Sequence, residues 1–343
     1  MRISRHDFAR LLGSVTKATQ GRNTIPILAC VRLIAEGGKL TATGTNLQIE
    51  ISGSVEAEGD LSACIDAKLL AGAVGKVAHD TIDLEQGDNE VILKAGRSRF
   101  KLPSLSADDF PTMEVGEFVS EFEADPAAMF APVAYAMSDE QTRYYLCGAF
   151  LQPEAVTATN GHKLSTVAHA LPAFPAVIVP SGTVALAPKG KSTVRVSERK
   201  IQFVGEGVTL TSVIVDGTYP DYERVIPKNL PNIAVFDNAT MKAAADRVAI
   251  ISTDRTPSVR LDLTSDEITL TARGNGEAND VVSCTYDGPA QAVGFNAAYL
   301  AASLGSLPPG EVRMAVGDGL GPVVFTSDAA PEQSIVLMPL RVA

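Results

Sequence analysis

Apolar residues fall at helical spacing in several stretches of the chain and alternate with polar ones in many more. Near the start, Phe8, Leu11, Leu12 and Val15 stand at i, i+3, i+4 and i+7, which predicts an amphipathic helix with Arg10 and Lys17 on its other face. Met241, Ala244, Ala245 and Val248 repeat the pattern, with Asn238 as the expected N-cap and Lys242 and Arg247 off the stripe. Phe130, Val133, Ala134 and Met137 form a third such face behind Pro126, and Pro132 inside it should kink the helix. Further helices are predicted at 66–77, with Lys68 and Lys76 outward, and at 296–304. The corresponding stretch at 180–193 is rich in Pro and Gly, so its helix should be shortened or missing. Strand alternation is carried by Leu47, Ile49 and Ile51, by Ile82 and Leu84, by Ile201 and Phe203, by Leu261 and Leu263, and by Ile268 and Leu270.

These elements come in three weakly similar rounds, each closing on a strand and a Pro-containing turn at 100–113, 208–222 and 323–340. Helices burying one side against such sheets make an α+β chain, and boundaries near Phe118 and Pro231 give domains 1–118, 119–231 and 232–343.

Composition narrows the function classes. A chain of 343 residues with 45% apolar and 20% charged residues can bury large cores. No apolar run approaches the ~18 residues of a membrane span. The first stretch carries His6, Asp7 and Arg10 where a signal peptide would be apolar, so a cytoplasmic protein without membrane partners is expected. Cys30, Cys64, Cys147 and Cys284 are widely spaced, which suits buried thiols and suggests neither a disulfide nor zinc. With 29 Lys+Arg against 40 Asp+Glu the net charge is −11, so a conventional basic DNA-binding surface is disfavoured and only a locally positive one remains open.

Ten segments carry a family resemblance: RNTIPIL at 22–28, TGTNL at 43–47, GRSRF at 96–100, DFP at 109–111, RYYL at 143–146, TNGHKL at 159–164, YPDY at 219–222, PKN at 227–229, GFN at 294–296 and MPLR at 338–341. In order and spacing they resemble the bacterial DNA polymerase III β subunit, the sliding clamp, over essentially the whole chain. The resemblance implies the DNA clamp fold: three repeated domains in a head-to-tail homodimeric ring, sheets outside and helices lining a hole for duplex DNA. It implies a processivity factor that catalyses nothing itself and needs no cofactor or metal.

Sequence-independent phosphate contacts would then fall to Arg10, Lys17, Arg22, Lys68, Lys76, Lys242 and Arg247, with Tyr144, Tyr145 and Lys189 beside them. Taken singly, each cation is also what a solvated helix face carries. The helix behind Pro126 has no Lys or Arg up to Met137, so the second domain should add little. The resemblance also implies a cleft for short peptides of the polymerase III catalytic subunit, the clamp loader, other polymerases and repair proteins, including an exonuclease-bearing partner. Its wall would hold Leu146, Thr159, Gly161, His162, Lys163, Leu164, Pro220, Arg224, Val225, Asn296, Tyr299, Val336, Met338, Pro339, Leu340 and Arg341. Without the family, Leu146, Leu164 and Met338 read as plain core. At the dimer joint Phe100 and Leu102 would meet Ile250 and Ile251, with Arg97 and Arg99 facing Glu277 and Asp280. The sequence departs from the family at Asn160 and Lys163, usually Asp and Arg, at Thr256, usually larger, and at Val342-Ala343, usually a single Leu.

Catalytic signatures are weak. Gly190-Lys191-Ser192 lacks the upstream Gly of a phosphate loop, Ala185 standing there, and Gly317, Gly319 and Gly321 read as a hairpin turn. His162 and His169 lack a third metal ligand at suitable spacing. Two alternatives stay open: a clamp paralogue of a mobile element or phage with altered partners, and a hydrolytic enzyme using His162 with Asp221.

Overall fold

The computed structural model describes residues 1–20, 24–114, 116–251 and 258–341, so Arg22, Thr256 and Val342-Ala343 lie outside the described residues. The chain divides into two compact units, Met1–Ala127 with Ala185–Ile214, and Ala128–Val184 with Val215–Ala343. Each unit holds one twelve-stranded sheet among the described residues, and the strands of the middle third of the chain are shared out between the two sheets.

Among the described residues there are six α-helices: α1 (Arg5–Val15), α2 (Ala67–Lys76), α3 (Pro126–Ala134), α4 (Ser181–Leu186), α5 (Asn238–Ala249) and α6 (Ala297–Ser306). Four of them begin alike, on the last residue of a strand whose side chain caps the helix. Ser4 accepts from Asp7 N at 3.4 Å, Asp66 from Leu69 N at 2.9 Å, Asp237 from Thr240 N at 2.8 Å and Asn296 from Ala298 N at 2.9 Å. Each cap satisfies an otherwise orphaned helix donor, typically by about 1 kcal/mol. The apolar faces predicted for α1, α2 and α5 are buried, at about 1.5–3 kcal/mol for each large side chain.

Several expectations are corrected. The cap of α5 is Asp237, not Asn238; Asn238 is the first helical residue, buried, and donates to the carbonyls of Leu304, Leu307 and Pro308. Leu304 O also accepts from Leu307 N at 3.2 Å where α6 ends, and the buried Asn238 amide on these carbonyls ties α5 to α6. Lys17 lies past α1 in a 3-10 turn, Thr16–Ala18. Proline in α3 shortens it, so Met137 falls outside the helix. The second helix of the middle third is shortened, as expected, to the six-residue α4. Leu47 is not a strand residue: it is half-exposed, at φ +74°, in the turn before strand Ile49–Glu56.

In the first unit strand Ile49–Glu56 pairs with Val208–Val213, setting Ile51 opposite Leu210. In the second, strand Lys163–Ala168 pairs with Ala330–Leu337, setting Leu164 opposite Val336. Each pairing joins strands far apart in sequence and buries apolar partners across the seam.

Candidate peptide cleft and cationic faces

A cleft of about 290 Å³ opens in the second unit beside the Lys163–Ala168 seam. Of the sixteen residues expected there, Leu146, Thr159, Gly161, His162, Lys163, Leu164, Pro220, Val225, Val336 and Met338 line it. Its apolar floor belongs to a cluster of Leu146, Leu164, Tyr219, Tyr222 and Val336, while Met338 stays 42% exposed at the mouth rather than in the core. Sequence reasoning missed Asp221 and Tyr222 as lining residues, although both lie inside the quoted YPDY segment. Among the other expected residues, Arg224 is bound to Asp221 at 2.7 Å, and Asn296 is spent capping α6. Leu340 holds the tail down through its N–H on Gly294 O at 2.8 Å, with Pro339 and Arg341 flanking it.

One turn shapes the cleft wall. The Thr159 hydroxyl donates to Lys163 O at 2.8 Å and accepts from Gly161 N at 3.0 Å. Asn160 Oδ1 accepts from His162 N at 2.9 Å and Lys163 N at 3.0 Å, and its Nδ2 donates to the Tyr299 hydroxyl at 3.3 Å. A carboxylate in place of Asn160 would keep the first two bonds but has no hydrogen to give Tyr299. Gly161 sits at φ +89° beneath Arg143, whose Nη1 is 2.9 Å from where a Cβ would stand. Arg143 is held there by Glu140, its Nε donating at 2.8 Å.

Lys163 is half-buried, with its ammonium 4.7 Å from the Tyr299 ring centre and 5.5 Å from that of Tyr135. Such a cation–π contact is worth about 0.5–2 kcal/mol depending on desolvation. Burial pulls the Lys163 pKa below the usual lysine value, and the field of Asp139 opposes that shift. Asp139 is not within ion-pair distance, and Lys163 forms no ion pair among the described residues.

The candidate DNA-contacting residues divide sharply by pairing. In the first unit Lys17, Lys68, Lys76 and Lys189 are exposed and form no ion pair among the described residues, whereas Arg10 is paired with Asp7 at 3.2 Å. Lys17 and Lys189 border one cavity of about 320 Å³. In the second unit both α5 cations are engaged, Lys242 with Asp246 at 2.8 Å and Arg247 with Asp280 at 2.6 Å. Tyr144 is 51% exposed and packs edge-on to Tyr145 at 5.7 Å.

Of the residues expected at a dimer joint, Arg97 and Arg99 are exposed, Phe100 is half-buried, and Leu102 is packed in its own unit's core, so only its backbone is free to meet a partner. Ile250 is 81% exposed and Ile251 rests against the second unit's core. Glu277 is already bound to Arg273 at 3.0 Å, as Asp280 is to Arg247. Strand Ser98–Leu105 is paired on one side only over 98–103, and strand Glu277–Tyr286 on one side only over 277–283, among the described residues.

Among the described residues no side chain is hydrogen-bonded to the His162 ring. No hydrogen bond joins it to Asp221 among the described residues, and Asp221 is committed to Arg224. Gly190 is a turn residue whose N–H donates to Asp125 at 2.9 Å, and Asp318 closes the 317–321 hairpin by accepting from Leu320 and Gly321. No group of three His, Cys, Asp or Glu able to hold a metal occurs among the described residues, and none of their helices is long and apolar enough to cross a membrane. Cys30 and Cys64 are buried, their thiols pushed up to about 11 and about 12 by burial; Cys147 and Cys284 are only half-buried, contrary to expectation.

Comparison with known proteins matches the DNA polymerase III beta subunit domain by domain: N-terminal at residues 1–114, central at 127–221 and C-terminal at 223–341. The beta sliding clamp of Caulobacter vibrioides is 34% identical over 99% of both chains, and that of Escherichia coli K12 29% identical over 99% of both. Among solved structures, Caulobacter crescentus pol III beta superposes with TM-score 0.93 at 34% identity, covering 99% of each chain. The Bartonella birtlesii clamp bound to griselimycin gives 0.95 at 30% identity, covering 100% of this chain and 99% of that one. Three family domains in order, relatives matched end to end and a shared fold make this chain a member of the DNA polymerase III beta subunit family, the beta sliding clamps of DNA replication.

Proposed function

We propose that two copies of this chain close into a six-domain ring that encircles duplex DNA, slides without reading sequence and tethers polymerases as a non-catalytic subunit in the cytoplasm. The observation that carries the reading is the succession of three family domains along the whole chain. The domains are read as 1–118, 119–231 and 232–343. The half-paired strands Ser98–Leu105 and Glu277–Tyr286 supply the two edges such a joint needs, and closing them would remove an aggregation hazard. The unpaired lysines of the first unit suit weak phosphate contacts that hold DNA loosely. The test is topological: loaded protein is retained on closed-circular DNA and lost when the circle is cut. A monomer at all concentrations that never stays on circular DNA overturns the ring.

Within this reading, the cleft takes a short peptide of the polymerase or the clamp loader. An apolar floor with few polar fixings lets a flexible peptide gain enough affinity to offset its ordering. A fluorescein-labelled peptide from the tail of a bacterial polymerase III catalytic subunit should bind, and Met338→Ala should weaken it several-fold without loss of folding, because Met338 is exposed.

A further inference from the structure

We propose that Cys30 and Cys64 form a masked modification site for soft electrophiles of the α,β-unsaturated carbonyl class, opened when the segment 106–113 lifts from the first unit's sheet. The inference is independent of the ring and cleft readings. On the paired strands Cys30–Glu36 and Leu61–Asp66, Cys30 stands opposite Asp66 and Cys64 opposite Arg32. Alternate residues share a face, so both thiols lie on the face opposite to the buried Val31, Leu33, Ala63 and Ile65. There they pack with Ala107 and Phe110 of the segment in a small cluster of its own. Both thiols are free. Besides those two buried residues, two side chains fasten the segment to the sheet among the described residues. Arg32 Nε donates to Ala107 O at 3.1 Å, and Met113 N donates to Glu50 Oε2 at 2.9 Å. Ser106, Asp108, Asp109 and Thr112 face solvent. A segment held at so few points opens locally at far lower cost than its unit unfolds.

While the segment is down, the electrophile has no path to either sulfur. Burial also pushes Cys30 up to about 11 and Cys64 up to about 12, so almost no thiolate is present at neutral pH. Lifting the segment removes both barriers, and an exposed thiol titrates near about 8.5. The thiol then gives its proton to water and the sulfur bonds to the β-carbon of the acceptor. The alkene electron pair moves to the α-carbon, which takes a proton from water. The saturated adduct occupies the space of Phe110 and holds the segment off the sheet.

The test pulses full-length protein with N-ethylmaleimide at neutral pH and follows the Cys30 and Cys64 peptides by mass spectrometry, with unfolding measured in parallel. Wild-type protein should label slowly at both, at a rate that low urea barely changes, because local opening exposes little surface. Glu50→Ala removes one fastening and should speed labelling of both about tenfold. Cys147, which belongs to the other unit, should label at its wild-type rate in that variant. Immediate labelling of wild-type protein, at the rate of the unfolded chain, shows that the segment masks nothing and overturns the site. Labelling that rises with urea as steeply as unfolding does, or that Glu50→Ala leaves unmoved, assigns exposure to the whole unit and also overturns it. If Glu50→Ala does not fold, the urea dependence of the wild-type rate decides on the same terms.

Discussion

The turns at 45–49 and 159–163 are the same object in two settings. In both, a Thr hydroxyl bridges the first and last residues and an Asn carboxamide oxygen accepts from two successive backbone N–H groups, with every distance between 2.7 and 3.1 Å. In both, the residue after the Asn lies at positive φ, Leu47 at +74° and Gly161 at +89°. Each turn leads into the strand that makes its unit's long-range seam. The difference is what stands above the turn. Leu47 is half-exposed, whereas Gly161 lies under Arg143. The turn accepts a side chain at this position; in the cleft wall a side chain would have to displace the Arg143 guanidinium.

Gly161→Leu breaks the comparison hardest, since it gives the second turn the residue of the first. The left-handed backbone disfavours a Cβ by about 1–2 kcal/mol, and the new side chain must displace the Arg143 guanidinium. Stability should fall by roughly that amount in urea unfolding, and polymerase-tail peptide affinity should fall at least tenfold. Unchanged peptide binding would mean that the neighbours of Gly161 do not shape the cleft.

A matched pair, Asn46→Ala and Asn160→Ala, sharpens the comparison next. Each removes the acceptor of two backbone N–H groups, which should cost about 1 kcal/mol at the exposed first turn. The second variant also cuts the tie to Tyr299, so its cost should be about 2 kcal/mol, with weaker hold on Lys163. Equal losses measured by urea unfolding would show that the Tyr299 contact contributes nothing.

The helix faces were legible in the sequence because their spacing is set by burial alone: Phe8, Leu11, Leu12 and Val15 have one side to hide and only one period that hides it. The family pattern likewise brought ten of sixteen cleft residues to one cavity. What stayed illegible depends on partners distant in sequence. Asn238 looks like a cap because Asn caps well, but Asp237 one residue earlier ends the strand, and the Asn is drawn to carbonyls near Leu304. Leu47 fits strand alternation until the Thr45 and Asn46 side chains capture the backbone and turn it. Tyr135 gave no signal, since its role depends on Lys163, 28 positions on, reaching its ring.

Leu47→Gly should have the smallest effect and isolates the backbone contribution from everything around it. Removing the Cβ relieves about 1 kcal/mol of left-handed strain, while glycine's freer unfolded chain returns about 0.5–1 kcal/mol of that. Leu47 is 50% exposed, so little packing is lost. The two terms nearly cancel, and stability should move by no more than about 0.5 kcal/mol in urea unfolding. A clear loss would mean that Leu47 packs usefully despite its exposure. A null result in the first turn beside a large loss for Gly161→Leu in the second would separate the requirements of the turn from those of the cleft above it.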